Sequence, residues 1–402
     1  MLISDLGKIV TGKTPLTKRK EYWDGDIPFV TPGDLQNSKH INSTSRYISE
    51  QGMLSVKGTI LPKDSVCVSC IGNIGYVGKT TKTSVSNQQI NSIIVNDKHN
   101  ADYVYYLMKS LWRYFKNCEN QSTTLSILNK TQFSKIQVVD HSREEEDRIA
   151  EFLNMLDLKI EMNTNVNDNL QLQALSIFQE WFIDNPDKTN WHQGTFSELV
   201  QSTLNGDWGK ESPSGNNIQK VYCIRGADIP DVRAGSKGKM PIRYILPKNY
   251  ASKMLTDGDI VIEISGGSPT QSTGRCVAVT QSLLERYDSG MVCTNFCKAI
   301  KPKSNYSMFI YYYWQYLYDK KVFFAYENGT TGIKNLDFSG FLDTETIIIP
   351  PEELVSKFNN YCKAIFDQVF ANGKESEKLA EIRDYLLPRL MSGELDVSNI
   401  VL

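Results

Sequence analysis

Histidine is scarce in this chain, with four residues in 402. Paired-histidine metal sites and histidine-based triads therefore have little to draw on. Neither H-E-x-x-H nor G-x-S-x-G occurs, and no cofactor-binding glycine loop follows a good strand. No N-P-P-Y-like or D-P-P-F-like tetrapeptide is present, and Asp184-Asn185-Pro186-Asp187 does not qualify. No apolar run approaches the ~18 residues of a membrane span. The opening MLISDLGKIV has no cationic segment ahead of a long apolar core, so no secretory leader is expected and the chain is assigned to the cytoplasm. The eight cysteines do not form a disulfide framework. Cys67, Cys70, Cys223, Cys276, Cys293 and Cys297 sit among Val, Ile, Ser and Phe in strand-like runs, where a thiol packs as a small hydrophobe. Cys67 and Cys70 have the spacing of a metal or redox motif, but no second pair with histidine completes a zinc set. No metal and no resident cofactor are expected.

A strong charge of one sign is also missing, since the formal net charge is −2. That total hides a segregation: residues 1–140 are net +6, 141–190 net −7, 191–347 net +2 and 348–402 net −3. Basic blocks suit phosphate, and acidic helical blocks suit solvent or a protein partner.

What is present is a repeat. Ser4–Gly12 matches Ser197–Gly206, and Arg46-Tyr47-Ile48 matches Arg243-Tyr244-Ile245. Leu61–Val77 matches Leu255–Val277, Ser86–Val95 matches Thr294–Pro302, and Asp102–Leu111 matches Met308–Leu317. Ser122–Phe133 matches Gly329–Phe338, and an acidic helix follows each copy. Each unit is expected to contain strands at Ser65–Ile71, Gln89–Val95 or Ile260–Ser265, then an aromatic helix at Ala101–Cys118 or Tyr306–Phe324. A short strand at Ile136–Val139 or Thr346–Ile349 closes the unit.

The first acidic helix carries apolar residues at Ile149, Phe152, Leu156 and Ile160, and again at Leu170, Ala174, Ile177 and Trp181. Alternating steps of three and four are the period of a coiled-coil seam. The second runs Phe358, Tyr361, Ile365, Val369, then Leu379, Arg383, Leu386 and Leu390, offset by 209 residues. Both seams break at polar residues, Asn163 and Asn167 in one and Asn372 and Ser376 in the other. If the two helices pair antiparallel, these breaks meet and fix the register. Glu144, Asp147, Glu161 and Asp168 lie off the seam and are expected in solvent.

Gly7-Lys8-Ile9-Val10-Thr11-Gly12-Lys13-Thr14 matches the phosphate-cradling pattern G-x4-G-K-[ST]. Only six residues precede it and Pro15 follows, so it is read as a turn. The side chains suited to phosphates and base edges in the first copy are Lys13, Lys18, Arg19, Lys20, Arg46, Asn73, Lys79, Lys82, Asn87 and Gln88. In the second copy they are Trp208, Lys210, Arg225, Arg243, Ser268, Gln271, Arg275 and Asn295. Trp112 and Tyr311 to Tyr313 are expected in cores.

Taken over the whole chain, the pattern resembles the specificity (S) subunits of type I restriction-modification systems. The carriers are SDLGKIVTGKTP, DIPFVTPGDL, KDSVCVSCIGNIG, SNQQINSIIV, the helix from REEEDRIAEFLNMLDLKIEMN onward, and its second copy ending in LAEIRDYLLPRLMSGEL. In the first copy VVDHSREEEDRIA stands where the family commonly has a Pro-rich approach followed by Glu-Gln, whereas the second copy has Pro350-Pro351. The resemblance implies an α+β chain: two similar α/β target recognition domains separated by two long antiparallel coiled-coil helices, with pseudo-twofold symmetry. The boundaries are 1–142 and 192–349 for the recognition domains, and 143–183 and 350–394 for the helices. It implies a non-catalytic subunit in which each domain reads half of a bipartite target in double-stranded DNA. The helices would set the gap and dock two methyltransferase (M) subunits, which restriction/translocase (R) subunits join. S-adenosylmethionine, ATP and Mg would belong to those partners, and no membrane is involved. A helix of ~50 Å suits half-sites about one turn, ~34 Å, apart. Three alternatives stay open: the specificity subunit of a related fused nuclease-methyltransferase, a P-loop NTPase using Gly7–Thr14, and a structural coiled-coil adaptor.

Overall fold

The computed structural model describes residues 1–36, 39–120, 126–268, 270–303, 305–329 and 333–395. The chain divides into two compact units, Met1–Leu158 with Leu379–Leu402, and Lys159–Lys378. Both boundaries fall inside long helices. The central helix spans Arg143–Phe178 and continues through a π-turn at Gln179–Ile183. The terminal helix spans Glu352–Met391.

In the first unit, strands Gly7–Thr11, Ile90–Val95, Val66–Ser69, Val77–Thr80 and His40–Ile41 lie side by side in that order, antiparallel except for the last pair. Tyr47–Ile48, Trp23–Val30, Ser84–Ser86 and Ile60–Leu61 form a second sheet. The second unit repeats the plan. Val200–Asn205, Cys297–Pro302, Ile260–Glu263 and Cys276–Ala278 form one sheet, and Ile242–Ile245, Gln219–Ile224 and Met291–Cys293 another. The aligned blocks that form strands take matching places: Gly7–Thr11 with Val200–Asn205, Ile90–Val95 with Cys297–Pro302, and Val66–Ser69 with Ile260–Glu263. Val66, Val68, Ile260 and Ile262 are fully buried, as expected of β-branched residues in a central strand covered on both faces.

The motif Gly7–Thr14 is corrected by the structure. Gly7–Thr11 is a strand paired with Ile90–Val95, not a turn, and among the described residues no α-helix follows before Glu50. Its second glycine answers to packing: a Cβ on Gly12 would lie 2.1 Å from the Asn87 carbonyl oxygen. Gly206, the matching residue, is 1.9 Å from the Thr294 oxygen by the same measure.

Three further expectations change. The aromatic helix of the first unit is two helices, Ala101–Ser110 and Trp112–Asn120, because Leu111 leaves helical geometry at ψ 8°. Its counterpart is Ser307–Asp319 followed by a 3-10 turn at Val322–Tyr326, with Lys321 in the left-handed region at φ +63°. The strand expected over Ile136–Val139 is a single bridge from Gln137 to Leu2, since its partner chain turns at Ile3–Asp5. Thr346–Ile349 does pair, with His192–Thr195.

The helices pair antiparallel within each unit. In the first, Arg383 Nη1 meets Asp157 Oδ1 at 2.7 Å, and Ile149, Ala150 and Leu153 share a core with Leu387, Leu390 and Met391. In the second, Asn163 meets Ser376, Asn167 meets Asn372, and the Phe178 and Phe358 rings lie 5.9 Å apart. The buried stripe is wider than the expected seam. Phe178 and Phe182 are buried at 0% and 3% exposure, while Ile177 and Trp181 are only half-buried. The reason is that the helix packs against the aromatic helix of the second unit as well as its partner helix: the Phe182 ring meets Phe309 edge-on at 5.1 Å and the Phe178 ring lies tilted at 6.0 Å from it. Each such ring contributes about 2–3 kcal/mol by area. Glu144, Glu161 and Asp168 are exposed, whereas Asp147 is half-buried and tied to Arg143 and Asn100.

Candidate nucleic-acid interface

The sequence-derived cations separate into free and committed groups. In the first unit Lys13, Lys18, Arg19, Lys20, Arg46 and Lys82 are exposed. Their placement follows from the strand Trp23–Val30. Trp23 starts it, and the guanidinium of Arg46, from the neighbouring strand's lead-in, stacks 3.8 Å from the Trp23 ring. A cation held on an indole face is partly pre-ordered and still has donors free. Lys20, Trp23, Ser45, Arg46 and Tyr47 line a cavity of about 550 Å³. The Lys82 ammonium reaches the same place, 6.0 Å from the Tyr47 ring, while donating to the Asp26 carbonyl at 3.4 Å. Arg19 pairs with Glu21 at 3.4 Å, both exposed. Asn73 and Gln88 are exposed, and Gln88 Oε1 accepts from Thr14.

Lys79 and Asn87 are withdrawn from the surface. Lys79 is 6% exposed and is held by Asp102 at 2.6 Å and Asp64 at 3.3 Å. Asn87 folds back on Gln89 through Nδ2 and Oδ1. Burial works to raise the Asp102 carboxyl, but the Lys39 and Lys79 ammoniums override it and hold it at about 2. Lys39 also donates to Asn154 of the central helix.

In the second unit the arginines are committed to carboxylates. Arg225 forks onto Asp228 at 2.9 Å through both Nε and Nη2. Arg275 does the same to Glu263 at 2.7 and 2.6 Å. Arg243 is 6% exposed, stacks 4.1 Å from the Trp208 ring, and donates to the Trp208 carbonyl and to Glu211. The aligned arginines Arg46 and Arg243 therefore each lie on a tryptophan, supplied from a different part of the chain in each unit. Trp208, Lys210, Gln271 and Asn295 are exposed. Ser268 caps a tight turn, accepting from Thr270 and Gln271 backbone N–H groups.

Tyr311 and Tyr312 are core residues and Tyr313 packs against that core. Trp112 is not: it is 42% exposed, because the break at Leu111 turns it off the face that buries Tyr106 and Leu107. The six cysteines singled out are buried, and burial pushes Cys67 up to about 11 and Cys70, Cys223, Cys276 and Cys297 up to about 12. Such thiols stay protonated and inert at neutral pH.

Asn163, Asn167 and Asn372 are buried and Ser376 half-buried. Asn163 Nδ2 donates to Glu375 at 2.8 Å and Ser376 at 3.2 Å, and Asn372 Nδ2 donates to Asn167 Oδ1 at 2.8 Å. Sequence reasoning missed the partners of this cluster: Ala234, Gly235, Gly373, Glu377 and Arg286. Only Gly373 left a signal, as a glycine in mid-helix.

Two copies of one mixed fold, each closing on an antiparallel helix pair, define a duplicated α+β chain. Residues 1–172 match the type I restriction modification DNA specificity domain. Over 99% of its length the chain is 29% identical to the type I restriction enzyme MjaIX specificity subunit of Methanocaldococcus jannaschii, covering 93% of that protein. It is 38% identical to the HindI specificity subunit of Haemophilus influenzae over 35% of this chain and 31% of that one. The crystal structure of a type I restriction-modification S subunit from M. genitalium aligns with TM-score 0.57 and 16% identity, covering 97% of this chain and 95% of that one, a likeness of fold. The chain is thus similar along its whole length to a specificity subunit of a type I restriction-modification system, and its first 172 residues match the DNA specificity domain of such systems. No helix among its described residues is long and apolar enough to cross a membrane.

Proposed function

We propose that each unit reads one half of a bipartite target in double-stranded DNA and that the helix pair sets the unread gap. Duplication supports this reading most: the same strand order occurs twice, with Arg46 on Trp23 in one copy and Arg243 on Trp208 in the other. Exposed Lys18, Lys20, Arg46 and Lys82 fit phosphate contacts, and exposed Asn73, Gln88, Gln271 and Asn295 fit base edges. The helices dock two methyltransferase subunits, and restriction/translocase subunits join that core. Apolar side chains left in solvent on the central helix suit such docking: Met155 and Leu158 in the first unit, Met162, Val166 and Leu172 in the second. The chemistry, with its S-adenosylmethionine, ATP and Mg, then lies in those partners, and this chain acts in the cytoplasm as their address.

The test is methylome sequencing of a host expressing this chain with its methyltransferase. An asymmetric motif split by a fixed gap is expected. A continuous motif, or one unchanged when this chain is omitted, refutes the proposal.

A further inference from the structure

We infer that the polar middle of the helix pair in the second unit is a seat that indexes the recognition domain on its spacer, with Asn167, Gly373 and Glu377 as positioning residues for the gap. The inference rests on the reading that the helices set that gap.

Seam asparagines that served register alone would bond only to each other. Asn167 does more. Its Oδ1 accepts from Asn372, and its Nδ2 donates at 3.1 Å to the Val369 carbonyl on the terminal helix and at 3.1 Å to the Ala234 carbonyl of the recognition domain. One buried amide ties three segments together. An apolar seam residue would hold the two helices but leave the Ala234 oxygen without this donor.

The next residue closes the contact sterically. Gly235 adopts φ +92°, and a Cβ on Gly373 would lie 1.9 Å from the Gly235 carbonyl oxygen. A Cβ on Gly235 would lie 2.4 Å from the Val369 oxygen. Glycine inside a helix is unfavourable, and here the close approach of a second backbone accounts for it. One turn away on either side stand Val369 and Glu377, whose side chains would fill the space Gly235 needs. The domain therefore has a single position along the helix.

Glu377 locks that position. Its Oε1 accepts from Ser236 Oγ at 3.2 Å and Lys237 N at 3.1 Å, and its Oε2 accepts from Arg286 at 2.6 Å. Arg286 also donates to the Gly235 carbonyl at 2.8 Å. The seated loop leads straight to candidate DNA contacts: Asp228, the partner of Arg225, accepts from Lys239 N at 3.2 Å, and Arg225 donates to the Lys239 carbonyl at 2.9 Å. A shift of the seat would be carried to Arg225.

The test uses the full complex with its methyltransferase subunits, carrying Asn167→Leu or Glu377→Gln, on duplexes bearing both methylome-derived half-sites with the native gap or one base pair more or less. Leu suits a helix seam, and Glu377 is partly exposed, so the second variant keeps the test available if the first does not fold. Both variants are expected to lose roughly tenfold of the preference for the native gap, with unchanged half-site sequences; Glu377→Gln also lowers the melting temperature, because buried Arg286 loses its charged partner, so gap preference is read below that temperature. Gap preference kept in both variants, or altered half-site sequences, overturns the seat alone. A wild-type complex that methylates every gap length equally overturns the spacer reading and the seat with it.

Discussion

Replacing Asp102 by Asn is expected to destabilise the first unit by about 2–3 kcal/mol. One carboxylate oxygen meets Lys79 at 2.6 Å and Lys39 at 2.8 Å, and the other accepts from Asn154 Nδ2 at 3.2 Å. Removing one partner of a buried pair costs about 3–5 kcal/mol, because the remaining charge is left uncompensated. Asp102 is 27% exposed and Asp64 still reaches Lys79, so the cost falls at or just below the bottom of that range. Asp64 is 46% exposed, and Asp64→Asn should cost no more than about 1 kcal/mol. The pH dependence has a defined sign. The folded carboxyl is held at about 2, below the usual value of about 3.9. Its stabilisation is complete above pH ~4 and is lost as pH falls toward 2, about 1–2 kcal/mol after solvent screening. Denaturant melts of the full chain at pH 7, and between pH 5 and 2.5, measure both effects. A melting temperature lower by roughly 5–10 °C is expected at pH 7, with a flatter acid limb than wild type. Equal stability of Asp102→Asn and Asp64→Asn, or parallel acid limbs for wild type and Asp102→Asn, would refute the reasoning.

Arg46→Ala or Lys20→Ala should weaken DNA binding of the assembled complex on all sequences alike and lower the salt slope by roughly one for each phosphate left unneutralised. An effect confined to one base position would contradict a phosphate role. Because Gly7–Thr11 is a strand and no helix begins at Lys13-Thr14, equilibrium dialysis of the isolated chain against ATP should detect no binding; binding abolished by Lys13→Ala would reverse that conclusion. A disulfide thiol reagent at pH 8 should label half-buried Cys118 first in the native chain and all eight cysteines after denaturation; rapid native labelling of Cys67 or Cys70 would contradict their burial.

The repeat was legible because strand cores are short apolar runs fixed by local sequence, and Leu61–Val77 and Leu255–Val277 carry them in the same order. The pairing of cations was not. Arg275 finds Glu263 across a hairpin, and Lys79 finds Asp102 from a strand to the first turn of a helix. Local sequence gives the charge of such a residue but not the carboxylate that tertiary structure sets opposite it. The Trp112 expectation failed for a related reason. One residue, Leu111, leaves the helix, and the face that returns to the core after it carries Phe115 and not Trp112. Likewise the seam named Ile177 and Trp181, where the protein buries Phe178 and Phe182, since periodicity reveals a face but not how many neighbours share it.

Two of the polar residues in the seams, Asn167 and Arg383, share one physical meaning. A seam position facing only a partner helix favours an apolar side chain, and a polar one weakens the pair. Asn167 occupies such a position and bonds a carbonyl of the second recognition domain. Arg383 occupies another, between Leu379 and Leu386, and meets Asp157, whose second oxygen accepts from Tyr106 of the first recognition domain at 2.5 Å. At Asn167 and at Arg383 the apolar repeat is interrupted where a third element reaches the helix pair and brings its own donors or acceptors, whereas Asn163 bonds the terminal helix through Glu375 and Ser376 and serves register. A site shaped for three segments fixes every pair among them. A replacement such as Leu for Asn167 therefore leaves Asn372 without its acceptor in the helix pair and Ala234 without its donor in the recognition domain, and the second loss falls on where that domain points.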